Sequence, residues 1–216
     1  MILVIKMQSN TLFIQLASLN DYSLTELLSH PRLSPEVIAQ TQSFSENRKK
    51  QFLACRVILA ELLHQYFGQP QLPSIMISDN SRPAFIDTTL PDFNISHSDN
   101  HVAVAIATKG QVGLDIEFHR ERKNLIKVAT SFFSEQENQW LISQPEKLSA
   151  FWQLWTLHEA ALKLYAKGVW QMKDVEIDIE KQKATAPFIT SAYCHYQRLD
   201  TTHLAVSCSQ IIDNIQ

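Results

Sequence analysis

HVAVAIATKGQVGLDIEF, residues 101–118, contains two strand patterns that the short segment Lys109–Gln111 separates. The first, HVAVAIAT, is apolar on both faces and predicts a buried central strand. The second, VGLDIEF, alternates apolar residues with Gly113, Asp115 and Glu117. Alternate side chains leave opposite faces of a strand, so both carboxylates leave one face about 7 Å apart. Because neighbouring carboxylates repel each other unless a cation lies between them, the pattern indicates half of a site for a hard metal ion.

The stretch FWQLWTLHEAALKLYAKG predicts an amphipathic helix that ends at Gly168. Glu159 and Lys163 are four residues apart and are therefore neighbours on one helix face. An isolated pair of this kind is usually a surface salt bridge. Beside Asp115 and Glu117, the pair would instead supply a third carboxylate for Mg²⁺ and a cation for a phosphate group.

Two further groups of residues suit an anion. In FNISHS, Ser96 and His97 stand at the mouth of the buried strand, where they either face a phosphate or close a turn. The helical stretch Ser34–Phe67 carries Arg48 and Arg56, and Arg56 interrupts an apolar face. An arginine in that position is either paired with an acid or kept for an anion.

Composition restricts the class of protein. The chain has 216 residues, of which 45% are hydrophobic and 19% charged, which predicts a folded protein with one large domain or two small lobes. No apolar run approaches the roughly 18 residues that cross a bilayer, and the N-terminal MILVIKM is too short for a signal peptide. The formal net charge of −3 and three scattered cysteines suggest neither nucleic-acid binding nor a disulfide framework. We therefore expect a cytoplasmic protein.

Repetition within the chain predicts its organisation. HVAVAIA begins at residue 101 and HLAVSCS at residue 203, each late in its half of the chain. These similar strands predict two similar α/β lobes, 1–109 and 110–216, although chance likeness is the alternative. The other predicted elements are strands at 12–16 and 75–77, a helix at 125–133, a helix with Ser134 and Glu137 as its capping box, and a β-rich meander over 175–207.

Five motifs occur in a specific order. They are SRPAF at 81–85, FNISHS at 93–98, VGLDIE at 112–117, FFSEQE at 132–137 and WTLHEAALK at 155–163. Each motif alone is weak, but the ordered set resembles the 4′-phosphopantetheinyl transferases, specifically the larger surfactin-synthetase-activating type. The likeness spans roughly residues 80 to 168, and the helix with the two arginines extends it toward residue 48.

The resemblance implies a fold and a reaction. The fold would be α+β, with two similar lobes related by pseudo-twofold symmetry around a cleft. The reaction would transfer the 4′-phosphopantetheine arm of coenzyme A to a serine of an apo carrier protein of the acyl, peptidyl or polyketide type, releasing 3′,5′-ADP. Carrier proteins present an acidic helix beside that serine, so Lys123, Lys127 and the Phe132–Phe133 region are candidates for a docking surface. We expect a Mg²⁺-dependent monomer.

The same resemblance implies a role for each candidate residue. Asp115, Glu117 and Glu159 would hold Mg²⁺ on the pyrophosphate of coenzyme A. Lys163 would contact the same pyrophosphate. The 3′-phosphate end of the nucleotide would be held by Ser96, His97, Arg56 and Arg48. The adenine would be approached by the backbone of Arg82 and Pro83.

Three positions depart from the family pattern. His158 replaces the usual lysine of W-x-x-K-E-A, Ser131 replaces the arginine of R-F-F, and Ser81-Arg82-Pro83 replaces G-K-P. A lysine is charged near neutral pH, whereas a histidine with a pKa near ~6.5 is mostly neutral. Glu159, a metal-bound water and His158 are all candidates for the general base. The alternative function is that of an impaired relative which binds coenzyme A or a carrier protein without turnover.

Overall fold

The computed structural model describes residues 1–6, 10–78 and 82–209. The described strands form two larger antiparallel sheets and one short hairpin. In spatial order, the first sheet consists of β1 (Ile2–Lys6), β2 (Thr11–Ser18), β6 (His101–Ala107) and β5 (Asp92–Ser98). The second consists of β7 (Val112–Phe118), β11 (Thr202–Ser209), β10 (Ile189–Leu199), β9 (Lys183–Ala186) and β8 (Glu176–Asp178). The hairpin pairs β3 (Ile75–Ile77) with β4 (Pro83–Phe85).

Six helices accompany these sheets in the described part of the chain. The helices are α1 (Leu24–Leu28), α2 (Pro35–Ala39), α3 (Glu46–Phe67), α4 (Leu125–Phe132), α5 (Glu135–Ser143) and α6 (Lys147–Leu164). Two of them, α3 and α6, are long. Short 3₁₀ turns occur at Leu19–Asp21 and Val169–Asp174. In the described part of the chain, no helix has both the length and the apolar composition needed to cross a membrane.

The apolar clusters show how the layers pack. α3 packs on the first sheet, the two sheets pack on each other, and α6 packs on the second sheet. In β6, Val104 and Ile106 belong to the cluster with α3, whereas Ala103 and Ala105 belong to the cluster between the sheets. The prediction of a buried central strand is therefore confirmed, since β6 lies between β2 and β5 and is covered on both faces.

Most predicted elements are confirmed, but two helix boundaries differ. The expected helix Ser34–Phe67 is two helices, because Ser45 accepts a hydrogen bond from the amide of Arg48 and begins α3. The helix expected to end at Gly168 ends at Leu164. Ala166 takes the left-handed conformation there with φ 51°, and the amide of the next residue bonds back to the carbonyl of Leu162.

The capping box of α5, the strands near residues 12 and 75, and the C-terminal meander are confirmed. The predicted turn includes residues 79–81, which lie outside the described residues. The mixture of helices and sheets is confirmed, whereas the pseudo-twofold relation between two lobes stays a prediction.

Candidate active site

A close contact between β7 and α6 positions the predicted acidic residues. Gly113 lies in β7 beneath α6, where an added Cβ would overlap the carbonyl oxygen of Ala160 and lie 2.5 Å from the amide nitrogen of Leu164. Glycine is therefore required for this separation of strand and helix. Asp115 and Glu117 share the face of Gly113, so they point toward the helix that carries Glu159 and Lys163.

Asp115 is 5% exposed and has one satisfied oxygen. Its Oδ1 atom accepts hydrogen bonds from Lys163 Nζ at 2.7 Å and from Ser96 Oγ at 2.9 Å. Its Oδ2 atom is buried and has no hydrogen-bond partner among the described residues. Burial raises the pKa of Asp115, and the charge of Glu117 raises it further, while Lys163 and Ser96 oppose the shift.

The other two carboxylates also keep an oxygen without a partner. Glu117 Oε2 accepts from Ser98 Oγ at 2.8 Å and from Arg120 Nη1 at 3.1 Å. Glu159 makes no hydrogen bond or ion pair with any residue that the structure describes. Burial is the main cause that raises the pKa of Glu159 to about 7; the charge of Asp115 adds to it, and Lys163 opposes it.

A divalent cation fits the chemistry of these acids. Across the described ranges, no group of three or more His, Cys, Asp or Glu side chains is arranged to hold a metal ion as it stands. Lys163 and Arg120 instead occupy one oxygen each on Asp115 and Glu117. The buried, unsatisfied Oδ2 of Asp115 and the unpaired carboxyl of Glu159 are nevertheless oxygen ligands of the type that Mg²⁺ prefers.

Two arginines and a histidine, none of them paired with an acid among the described residues, lie on the side of β5 that packs against α3. Arg56 of α3 is 7% exposed, stacks its guanidinium on Phe52 at 4.6 Å, and has no hydrogen bond or ion pair with a described residue. Arg48 Nη1 lies 3.5 Å from His97 Nε2. Burial lowers the pKa of His97, the charges of Arg48 and Lys163 lower it further, and the charge of Glu117 opposes the shift, so the two arginines carry the positive charge here near neutral pH. Uncompensated positive charge of this kind suits a bound anion.

Lys163 also borders a cavity of about 330 Å³. Its lining includes Arg82, Pro83, Asn94, Lys163, Lys167 and Gly168. The Arg82 guanidinium does not point freely into this space, because it forms a bidentate ion pair with Asp92 at 2.8 and 2.6 Å and donates to the carbonyl of Val112. Arg82 and Pro83 therefore border the cavity, the Arg82 side chain joins the two sheets, and the approach of their backbone to an adenine stays a prediction.

The structure does not bring His158 to the carboxylates. His158 is completely buried beside Phe133, its Nε2 atom lies 2.9 Å from Glu137 Oε1, and its Nδ1 atom lies 3.2 Å from the carbonyl oxygen of Met172. Adjacent residues on a helix point about 100° apart, so the neighbour of Glu159 faces α5 instead of the acids. The interpretation of His158 as a base or a phosphate ligand is corrected to a buried structural partner of Glu137.

Three contacts of the acids were not expected from the sequence. Ser98 and Arg120 bind Glu117, and the Ser96 hydroxyl, expected at a phosphate, is 3% exposed and bonded to Asp115. Asn94 is 7% exposed and makes no side-chain hydrogen bond with a described residue. The signal for Ser98 was present, because serines two apart in FNISHS match acids two apart in LDIE.

Comparison with known proteins gives consistent results. A family model described as the 4′-phosphopantetheinyl transferase superfamily matches residues 111–209. The 4′-phosphopantetheinyl transferase AcpT of Salmonella typhi is 34% identical over 182 residues, which are 83% of this chain and 85% of that protein. A putative 4′-phosphopantetheinyl transferase of Synechocystis, slr0495, is 32% identical over 143 residues, 63% of this chain and 58% of the relative.

Coverage is partial for another relative. The uncharacterized protein YieE of Escherichia coli is 35% identical over 136 residues, 62% of this chain. The matched segment is 55% of YieE, so the chain spans about half the length of that relative.

Proposed function

Because this chain belongs to the 4′-phosphopantetheinyl transferase superfamily, a family of transferase enzymes, we propose that it transfers the 4′-phosphopantetheine arm of coenzyme A to a serine of an apo carrier protein. The product that leaves would be 3′,5′-ADP. One observation carries the proposal: Arg56 and Arg48, which have no paired acid in the described chain, lie on one side of β5, and carboxylates with unpaired oxygens lie on the other. Coenzyme A needs both, since it presents a 3′-phosphate and a metal-binding pyrophosphate.

The side of β5 that packs against α3 would bind the nucleotide end. Arg56, with Arg48 and His97, would hold the 3′-phosphate, since none of the three is paired with an acid in the described chain. The adenine would occupy the cavity bordered by Arg82 and Pro83. Lys163 borders both this cavity and the carboxylates, so it would contact the pyrophosphate between them.

Asp115, Glu117 and Glu159 would hold Mg²⁺, which would neutralise the pyrophosphate and orient it. The hydroxyl oxygen of the carrier serine would attack the phosphorus that bears the pantetheine arm. The bond from this phosphorus to the bridging oxygen would break, and that oxygen would leave with 3′,5′-ADP and the electron pair. Glu159, which has no other partner in the described chain, would accept the serine proton. Lys163 would stabilise the charge that develops on the phosphate oxygens.

A basic surface offers a place for the carrier protein. Arg120, Arg122, Lys123 and Lys127 are exposed at and before α4, and Glu121 is the one acid between residues 120 and 127. Arg120 bonds Glu117, so this surface begins at the carboxylates. An acidic helix beside the carrier serine would meet it with opposite charge.

Several finer assignments belong to the same proposal. We take the two lobes as 1–109 and 110–216, which is supported by the first sheet ending at Ala107 and the second beginning at Val112. The protein would act as a cytoplasmic monomer on an acyl, peptidyl or polyketide carrier. The 34% identity to AcpT of Salmonella typhi over 85% of that protein supports an AcpT-like member of the superfamily over the surfactin-synthetase-activating type.

The direct test is transfer of the arm to an apo carrier protein, followed by intact mass with coenzyme A and Mg²⁺. Asp115→Ala should reduce transfer at least about 1,000-fold, because a ligand and the Lys163 partner are lost together. Asp87→Ala is the matched control, since Asp87 is exposed and, among the described residues, its carboxylate bonds Thr89 alone. Near-wild-type turnover of Asp115→Ala would contradict the assignment of Asp115 as a ligand of Mg²⁺. Coenzyme A binding by the wild type, without transfer to any apo carrier, would support the impaired relative instead.

A further inference from the structure

β5 and β7 are edge strands of different sheets, and side chains join them. Asp92 Oδ2 accepts from the amide of Val112 at 2.8 Å. Ser96 Oγ accepts from the amide of Ile116, and Ser98 Oγ from the amide of Phe118, both at 3.1 Å. Each acceptor precedes its donor by 20 residues, so the two strands run in the same direction and stay in register.

The two serines use their hydroxyl protons in the same way. Ser96 donates to Asp115 at 2.9 Å and Ser98 donates to Glu117 at 2.8 Å, each across 19 residues. Each serine hydroxyl has one proton to donate. Its oxygen is held in place because it accepts a hydrogen bond from a backbone amide of β7. The proton of each serine is therefore directed at one carboxylate oxygen.

Each of the two carboxylates accepts from one serine and from one cation through the same oxygen. Asp115 Oδ1 accepts from Ser96 and from the cation Lys163, which leaves Oδ2 without a partner in the described chain. Glu117 Oε2 accepts from Ser98 and from the cation Arg120. Neither set of bonds uses the second oxygen of the carboxylate, so each acid presents that oxygen for a further ligand.

We propose that Ser98 is a positioning residue that orients Glu117 for a divalent cation, repeating for this acid what Ser96 does for Asp115. The inference rests on the proposed function. Arg120 reaches Glu117 with a side chain that is 48% exposed and that also lies over the Trp152 ring at 4.7 Å, whereas Ser98 is fixed on β5 by the strand register. Ser98 also belongs to the first sheet and Glu117 to the second, so the orientation of the acid depends on how the two sheets meet.

The test measures metal binding apart from activity. Mn²⁺ affinity is followed by electron paramagnetic resonance for the wild type, Ser98→Ala and Ser98→Thr. Removing a group that orients a metal ligand typically weakens metal binding 10–100-fold, so we expect Ser98→Ala to bind Mn²⁺ about 10-fold more weakly. Ser98→Thr keeps the hydroxyl and should restore affinity. Ser143→Ala, in which an exposed hydroxyl that bonds Trp140 is lost, is the matched control and should bind as the wild type does.

Transfer kinetics provide the second readout. Ser98→Ala should need about 10-fold more Mg²⁺ for half-maximal transfer and recover most of its maximal rate at saturating Mg²⁺. If the wild type binds Mn²⁺ and transfers the arm, and Ser98→Ala binds Mn²⁺ with the same affinity, the positioning role of Ser98 is overturned. The proposed function would stand in that case. A wild type that neither binds Mn²⁺ nor transfers the arm would overturn the proposed function and this inference with it.

Discussion

At the scale of single residues, buried polar groups divide into those with partners and those without. Arg56 is 7% exposed and is paired with no acid among the described residues, whereas Glu137 is 4% exposed and both of its carboxylate oxygens are hydrogen-bonded. A buried charge without a partner costs free energy of folding, so its presence needs a ligand to compensate for it. Arg56 therefore suits the anion-binding role proposed for it, whereas the contacts of Glu137 are structural.

Glu137 supports a prediction about stability and pH. Its Oε1 atom accepts from the Ile177 amide at 2.8 Å and lies 2.9 Å from His158, while Oε2 accepts from the Ser134 amide at 2.7 Å. Burial alone would raise the pKa of Glu137, but the hydrogen bond and charge of His158 and the two amides lower it below its ordinary 4.5. The unfolded chain thus binds this proton first as the pH falls, so the stabilising contribution exists above about pH 4.5 and is lost below it.

Glu137→Gln should therefore lower the free energy of unfolding by about 1–3 kcal/mol at pH 7, because it weakens a buried charged hydrogen bond. Denaturant unfolding at pH 7 and pH 3.5 would show the difference from the wild type shrinking at the lower pH. Glu135→Gln, at an exposed position of the same helix, should show neither effect. A difference that stays constant with pH would contradict a lowered pKa.

At the scale of elements, the contact of β7 with α6 sets the distance between the acids and Lys163. Gly113→Ala would force the helix away from the strand, because the new Cβ would meet helix backbone and not a movable side chain. We expect a loss of stability of about 1–3 kcal/mol, as for other overpacked sites, and a loss of transfer larger than the loss of folded protein. The measurements are thermal unfolding and transfer rate per folded molecule.

Gly168→Ala serves as the comparison for this prediction. Nothing lies within 4 Å of the Cβ position at Gly168, and the residue has negative φ. That variant should fold and retain wild-type stability. A Gly113→Ala protein with unchanged stability and rate would mean that α6 moves freely on β7.

At the scale of the whole molecule, charge is distributed unevenly. The chain has a formal net charge of −3, yet four exposed cations cluster at residues 120–127 next to the carboxylates. Ile126 in the same segment is 47% exposed. Basic residues with an exposed apolar side chain beside the reactive groups suit an acidic protein partner better than a small molecule.

Lys127→Glu should therefore raise the KM for the carrier protein about 10-fold and leave the KM for coenzyme A unchanged, because the substitution opposes the charge of the carrier alone. The effect should diminish as salt is added, since exposed charges are screened. Lys183→Glu on β9 makes the same charge change at another exposed position and should leave both constants unchanged. If both variants raised the KM for the carrier protein equally, the net charge of the protein, and not a docking surface at residues 120–127, would explain the effect.

Local interactions account for what the sequence predicted. The strand with alternating acids, the capping box at Ser134 and the neighbouring pair Glu159 and Lys163 each depend on residues within one turn or one strand. The spacing of side chains along a helix or strand is set by backbone geometry, so these elements and most of the candidate residues were recognisable.

Contacts between distant segments were decided by the tertiary structure alone. His158 faces Glu137 because the rotation of α6 is set by its packing on the second sheet, and Arg82 joins Asp92 because the hairpin lies beside β5. Ser98 meets Glu117 only because two edge strands from different sheets lie in register. The sequence determined which groups are available in each element, and the packing of elements determined which oxygen and nitrogen atoms they meet. Such pairings depend on distances between segments, which no local pattern specifies.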